Sequence, residues 1–158
     1  MSSPTSPDAT ATYTLAAVPA GAANRVYWYA ATATSPSVVP APTSGSKVQL
    51  GTGDGKSPIP LKISNGTQAS PVYVAIVIQD SNGMALTPLG IVVKRAPNQL
   101  GGPGNDPQAV LTFPSATING TTLSLGDTEN DLASYEFDIL FRDSSGNYGL
   151  LDPKILNT

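Results

Sequence analysis

Tyr135-Glu-Phe-Asp-Ile-Leu-Phe-Arg142, followed by Asp143-Ser-Ser-Gly146 and then Asn147-Tyr-Gly-Leu-Leu-Asp-Pro-Lys-Ile-Leu-Asn157, decides the fold class. Tyr135, Phe137, Ile139 and Phe141 alternate with Glu136, Asp138, Leu140 and Arg142, the period-two pattern of a strand with one buried and one wet face. The Asp143 side chain can accept from backbone N–H groups two or so residues on, and Gly146 takes a positive φ without strain, so residues 143–146 close a turn. A second strand follows, and the unit reads as a β-hairpin.

Further back, Val72-Tyr-Val-Ala-Ile-Val-Ile-Gln79 is apolar on both faces and rich in β-branched residues, as expected of a strand covered on both sides in the middle of a sheet. It runs into Asp80-Ser-Asn-Gly83 and then Leu89-Gly-Ile-Val-Val93. Aligned without a gap, Ile76, Asp80, Ser81 and Gly83 fall on Ile139, Asp143, Ser144 and Gly146, which suggests two related strand–turn–strand units. Leu61-Lys-Ile-Ser64 leads into Asn65-Gly66, a two-residue hairpin signal whose partner strand would start near Pro71. Asn119-Gly120 predicts a further hairpin between Thr117-Ile118 and Thr122-Leu-Ser-Leu125.

Tyr13, Leu15 and Ala17 alternate with Thr14 and Ala16 as a first strand, and Val26-Tyr-Trp-Tyr-Ala-Ala-Thr-Ala33 reads as an aromatic second one. The prolines and glycines of residues 35–60 forbid a helix and leave only Lys47-Val-Gln-Leu50 as a strand there. Ala96 to Pro107, with Gly101-Gly-Pro-Gly104, is the expected long loop. A single helical turn could fit only between Asp127 and Ser134. The whole reads as all-β, an antiparallel β-sandwich of about nine to eleven short strands. Residues 1–10 hold almost nothing to bury and are expected as a disordered tail, with residues 11–158 as one domain.

Composition bounds function. Of 158 residues only 12% are charged, and a net charge of −3 with scattered basic residues offers no field for phosphates, so nucleic acid is not an expected partner. Histidine and cysteine are both absent. That removes Ser-His-Asp and Cys-His catalysis, structural zinc and disulfides by inventory. No stretch approaches eighteen apolar residues and no signal peptide is visible, so no membrane partner is expected and the location reads as cytoplasmic.

The C-terminal pattern Tyr135-x-Phe137-x-Ile139, Asp143-x-x-Gly146, Asp152-Pro153-x-Ile155-x-Asn157 resembles small bacterial β-proteins of the DP-EP family and, more distantly, the PixA/AidA inclusion-body proteins. The likeness spans about the last forty residues, and the Glu-Pro that should follow the final Asn in the first family is missing. It implies a compact β-sandwich without an established catalytic activity and transfers no functional residue.

Two candidate sites stand out. Tyr27 and Tyr29 flank Trp28; if Trp28 faces the core, the tyrosines project together as a stacking platform for a glycan or a partner surface, while the alternative is a strand buried between two layers. Asp127, Glu129 and Asp131 put three carboxylates at i, i+2 and i+4, a spacing that can converge on calcium if the backbone curls, although Leu132 stands where an EF-hand loop needs glycine. A solvated acidic loop is the plainer reading, and no other cofactor is implied. Seven of the eleven acids fall between Asp127 and Asp152, enough for a carboxylate pair, but turns and a wet strand face account for them, so an enzyme is not expected. Asn65-Gly-Thr67 and Asn119-Gly-Thr121 match the glycosylation pattern, which the hairpin turns explain without it.

The functional expectation is a non-catalytic β-sandwich for self-association or protein contact, with a small, calcium-assisted lectin as the alternative. The strand Gly149–Leu156, apolar and at the chain end, with a proline tolerated only at an edge or bulge, is the expected edge for a homo-oligomer.

Overall fold

The computed structural model describes residues 6–15, 28–30, 36–52, 60–63, 72–93, 115–127, 134–144, 146–151 and 154–157. These contain twelve strands and no helix: β1 (Ala9–Thr14), β2 (Trp28–Ala30), β3 (Ser37–Val39), β4 (Val48–Leu50), β5 (Leu61–Ile63), β6 (Val72–Gln79), β7 (Thr87–Val93), β8 (Ser115–Asn119), β9 (Thr122–Asp127), β10 (Ser134–Arg142), β11 (Tyr148–Leu151) and β12 (Lys154–Asn157). One sheet has the order β3-β1-β6-β9-β8; the other runs β2-β11-β10-β12-β5-β4, with β7 added beside β10.

The two sheets share one apolar core. Phe137, Ile139 and Phe141 of β10 are fully buried, as their alternation predicts, against half-buried Asp138 and Leu140 and exposed Arg142. In the facing sheet the inward row Val38, Ala11, Ile76, Leu123 crosses β3, β1, β6 and β9, and each member is buried. β6 is central in its sheet, but only Val72, Val74, Ile76 and Ile78 are sealed at 2% exposure or less. The opposite face, Tyr73, Val77 and Gln79, is half-buried, with Ala75 alone buried there. The expectation of cover on both faces is corrected to that extent, because small hydroxyl residues of β1 and β9 flank this face rather than a third layer.

β10 and β11 form the hairpin read from the sequence. β12 then continues in the same register: Ile139 faces Leu151 and, three residues along each strand, Glu136 faces Lys154. β11 and β12 are therefore one line against β10. On the other side of that line β2 lies parallel to β11 and β5 parallel to β12. The C-terminal strand is thus interior, and its assignment as an open edge is corrected. Asp152 and Pro153 lie outside the described residues.

Three pairings are parallel, β1 with β6, β2 with β11 and β5 with β12, so the sandwich is mostly rather than wholly antiparallel. Only strands joined by a short turn are obliged to be antiparallel, and these pairs are distant in sequence. For the same reason the β5–β6 hairpin expected at Asn65-Gly66 does not form: the two strands lie in different sheets, and the turn itself is outside the described residues. The hairpin at residues 119–122 does form. Asn119 pairs with Thr122, so the turn centre is Gly120-Thr121, one residue later than expected, with Gly120 at φ 59°.

The two strand–turn–strand units carry the same turn. Asp80 Oδ1 accepts from the Asn82 and Met84 N–H groups, and the Gly83 N–H donates to the Asp80 carbonyl. Asp143 Oδ1 accepts from the Asn147 N–H, and the Gly146 N–H donates to the Asp143 carbonyl. Gly83 and Gly146 sit at φ 82° and 84°. Beyond the turn they diverge. β11 returns along β10, whereas after the first turn a single bridge, Gln79 to Ala85, precedes β7, which crosses to pair with β10 in the other sheet.

Of residues 1–10, expected as a disordered tail, 1–5 lie outside the described residues and β1 begins at Ala9. Ala9 is buried, the Asp8 N–H donates to the Tyr73 carbonyl at 2.7 Å, and Asp8 Oδ2 accepts from the Tyr73 N–H at 2.8 Å. Removing residues 1–10 should lower the Tm by about 4–8 °C, the loss of roughly 2 kcal/mol in a chain of this size; calorimetry showing no change would mean the start of β1 is dispensable. Ile76→Ala should cost about 2–5 kcal/mol as a large-to-small change in a sealed row. Arg142→Ala, exposed at the end of β10, should cost under about 1 kcal/mol. Denaturant titration of both variants checks the contrast, and equal losses would contradict this core.

Candidate interaction surface

Of the five residues singled out by sequence, Tyr27, Glu129 and Asp131 lie outside the described residues. Tyr29 is placed by its backbone alone: it pairs with Gly149 in the parallel ladder between β2 and β11. Asp127 ends β9 opposite Val72. Among the described residues no three acidic side chains come together where they could hold a metal ion.

The structure instead brings together a surface. Outward positions of the five-stranded sheet fall into rows set by the register, Val39-Thr10-Ala75-Ser124-Thr117 and beside it Ser37-Thr12-Val77-Thr122-Asn119. β-branched and small hydroxyl residues suit a pleated surface, which is why the sequence forms strands here. The charged residue in these five strands is Asp127, at the very end of β9. Lys62, Glu136, Asp138, Arg142 and Lys154 all belong to the other sheet. Near the corner of the neutral sheet, Asp8 Oδ1 meets Lys47 Nζ at 3.6 Å; both are partly exposed, so the pair adds little.

The core beneath this sheet does not reach its last strand. The inward row buried through Val38, Ala11, Ile76 and Leu123 ends on Ile118, which is 42% exposed. Its neighbouring row, Ala9-Val74-Leu125, ends on exposed Ala116. Ala116 to Gly120 are exposed in succession, although β7 of the facing sheet comes close to β8. In the sequence Asn119-Gly120 marked a hairpin turn here, and nothing marked an interaction surface. The signal available was negative, the absence of any charge from Pro107 to Gly126.

Tyr13 is the one ionisable side chain sealed in the described core. Its hydroxyl has no hydrogen-bond partner among the described residues, and burial pushes the phenol well above its ordinary value. A buried unpaired hydroxyl costs about 1–3 kcal/mol. Asn147, also buried, is satisfied: its amide donates to Asp143 Oδ2 at 2.9 Å.

No protein-family model matches the chain, and no curated protein matches it.

Tyr13→Phe should leave stability at neutral pH unchanged or raise it by about 1 kcal/mol, since no protein partner is orphaned. The native state holds the Tyr13 proton beyond the pH where the unfolded chain releases it. Stability therefore falls as pH rises above about 10, by up to about 1.4 kcal/mol per pH unit from this group. Urea titrations at pH 7, 10 and 11 should show that alkaline loss shrinking in Tyr13→Phe. A loss of stability at pH 7 would mean the hydroxyl is bonded after all.

Proposed function

We propose that this chain is a non-catalytic β-sandwich that works by contact, associating with itself or with another protein through the neutral five-stranded sheet. The observation that carries the reading is the segregation of charge: the strands of one sheet hold Asp127 alone, while the other sheet holds both signs. Charged side chains on exposed sheet faces and edges discourage association, and a surface without them favours it. Its Thr, Ser, Val and Ala rows offer methyl groups and short hydroxyls, which pack and hydrogen-bond with little rotamer entropy lost. The expected resemblance of the C-terminus to β-proteins without established catalysis points the same way.

Sedimentation velocity across a concentration series at about 50 mM and 500 mM salt tests it, because contact between neutral surfaces is not screened. Association that is equal at both salts supports the reading. Association abolished by the higher salt would place the contact on the charged sheet and overturn it. Thermal melts with calcium and a mixed sugar panel run in parallel; a ligand at 100 times its Kd stabilises by about 2.7 kcal/mol, and a shift of that size would move the assignment to a lectin.

A further inference from the structure

We infer that the edge of β8 that no described strand occupies pairs with β8 of a second copy, antiparallel about a twofold axis through Thr117, joining two five-stranded sheets into one. The inference rests on the contact reading above and names the surface and the partner. The register of the β8–β9 hairpin decides which backbone groups are available. A two-residue turn closes on a pair that exchanges both hydrogen bonds, here Asn119 and Thr122, and alternation makes Thr117–Ser124 the next such pair. The N–H and C=O groups of Ala116 and Ile118 therefore point away from β9, toward the open side.

Set antiparallel on a second copy with Thr117 on the axis, Ala116 faces Ile118 of the partner subunit, and Ile118 faces the partner's Ala116. Both pairs are of the hydrogen-bonded kind, so all four outward groups are satisfied at once. The side chains match as well. Small Ala116 meets large Ile118 on the inward side, which makes the segment complementary to itself, as a twofold interface requires. The inward rows that end exposed on Ile118 and Ala116 would then continue into the second molecule.

Charge selects a second copy over other occupants. A chain of net charge −3 repels itself except where it is neutral, and from Pro107 to Gly126 it carries no charge. An acidic or basic partner would find nothing to pair with there. The other edges are guarded: β3 spans three residues bracketed by Pro36 and Pro40, β7 contains Pro88 beside a bulge, and β2 and β4 span three residues each, β4 next to Lys47. Short strands, prolines, bulges and lysines are the devices by which sheets blunt their edges; Pro114 precedes β8 in the sequence, but its five residues hold no proline, lysine or bulge.

A five-residue edge buries less than a standard interface, so the dimer should be concentration-dependent, with light scattering rising from 16.1 kDa toward twice that mass between about 10 µM and about 1 mM. Ala116→Pro removes an N–H that points outward and leaves the β8–β9 ladder intact; it should stay monomeric with an unchanged Tm. Because the chain has no cysteine, Thr117→Cys places a lone thiol on the axis. The two thiols would sit across a non-hydrogen-bonded pair with Cα atoms about 4.5 Å apart, within disulfide range. Under mild oxidation it should cross-link about tenfold faster than Thr14→Cys, a control on the same outward face. If Ala116→Pro fails to fold, Ile118→Lys replaces it, and the cross-linking comparison stands unaffected. Association that survives both edge variants, or equal cross-linking at 117 and 14, overturns the β8 pairing and leaves the contact reading standing. A wild-type chain that is monomeric at about 1 mM and does not cross-link overturns both self-association and this pairing, leaving only contact with another protein.

Discussion

The pairing of β10 along both its edges is the constraint on which the rest depends. One edge takes β7 and the other takes β11 and β12, while Phe137, Ile139 and Phe141 face inward at zero exposure. The fit is close enough to dictate a glycine: a Cβ at Gly149 would lie 2.5 Å from Phe141 Cζ, so the ring occupies the space a side chain would need. Because β7 arrives from β6, the strand that completes this edge also ties the two sheets together. Neither sheet can assemble without fixing the other.

The paired turns separate what is local from what is not. Asp80 and Gly83, like Asp143 and Gly146, build the same carboxylate-to-amide bonds and the same positive-φ glycine. Yet Met84 is exposed where Asn147 is buried, and the strand after one turn leaves its sheet while the strand after the other returns along it. Turn chemistry costs and gains are settled within five residues. Where the chain goes next is set by strand pairing beyond the turn: both edges of β6 are taken, by β1 and β9, while β10 pairs with β7.

Asymmetry between the sheets gives the surface its character. Apart from Asp127 at the end of β9, polar residues in the five-stranded sheet are hydroxyls and amides, and the other strand charges lie in the other sheet. An unpaired sheet edge is ordinarily a liability. Here the strands that carry prolines, a bulge or an adjacent lysine lie at the other margins, and β8 is left plain. The two inward core rows end exposed on Ala116 and Ile118, although β7 of the facing sheet comes close to β8.

The amino-acid pattern alone determined that the chain is all-β, which residues of β10 face inward, and where Asp-x-x-Gly would turn it. Alternation and turn chemistry act over a few residues, so they are written in the local sequence. Strand partners were decided only by the tertiary structure. Period two states which face is buried but not which neighbour lies alongside, so the C-terminal strand, apolar and broken by Pro153, read as an edge although β2 and β5 close its far side. The same limit hid β8. Its residues look like any short strand of a hairpin, and only the sheet order and the extent of the facing layer show that the core stops one strand short of it.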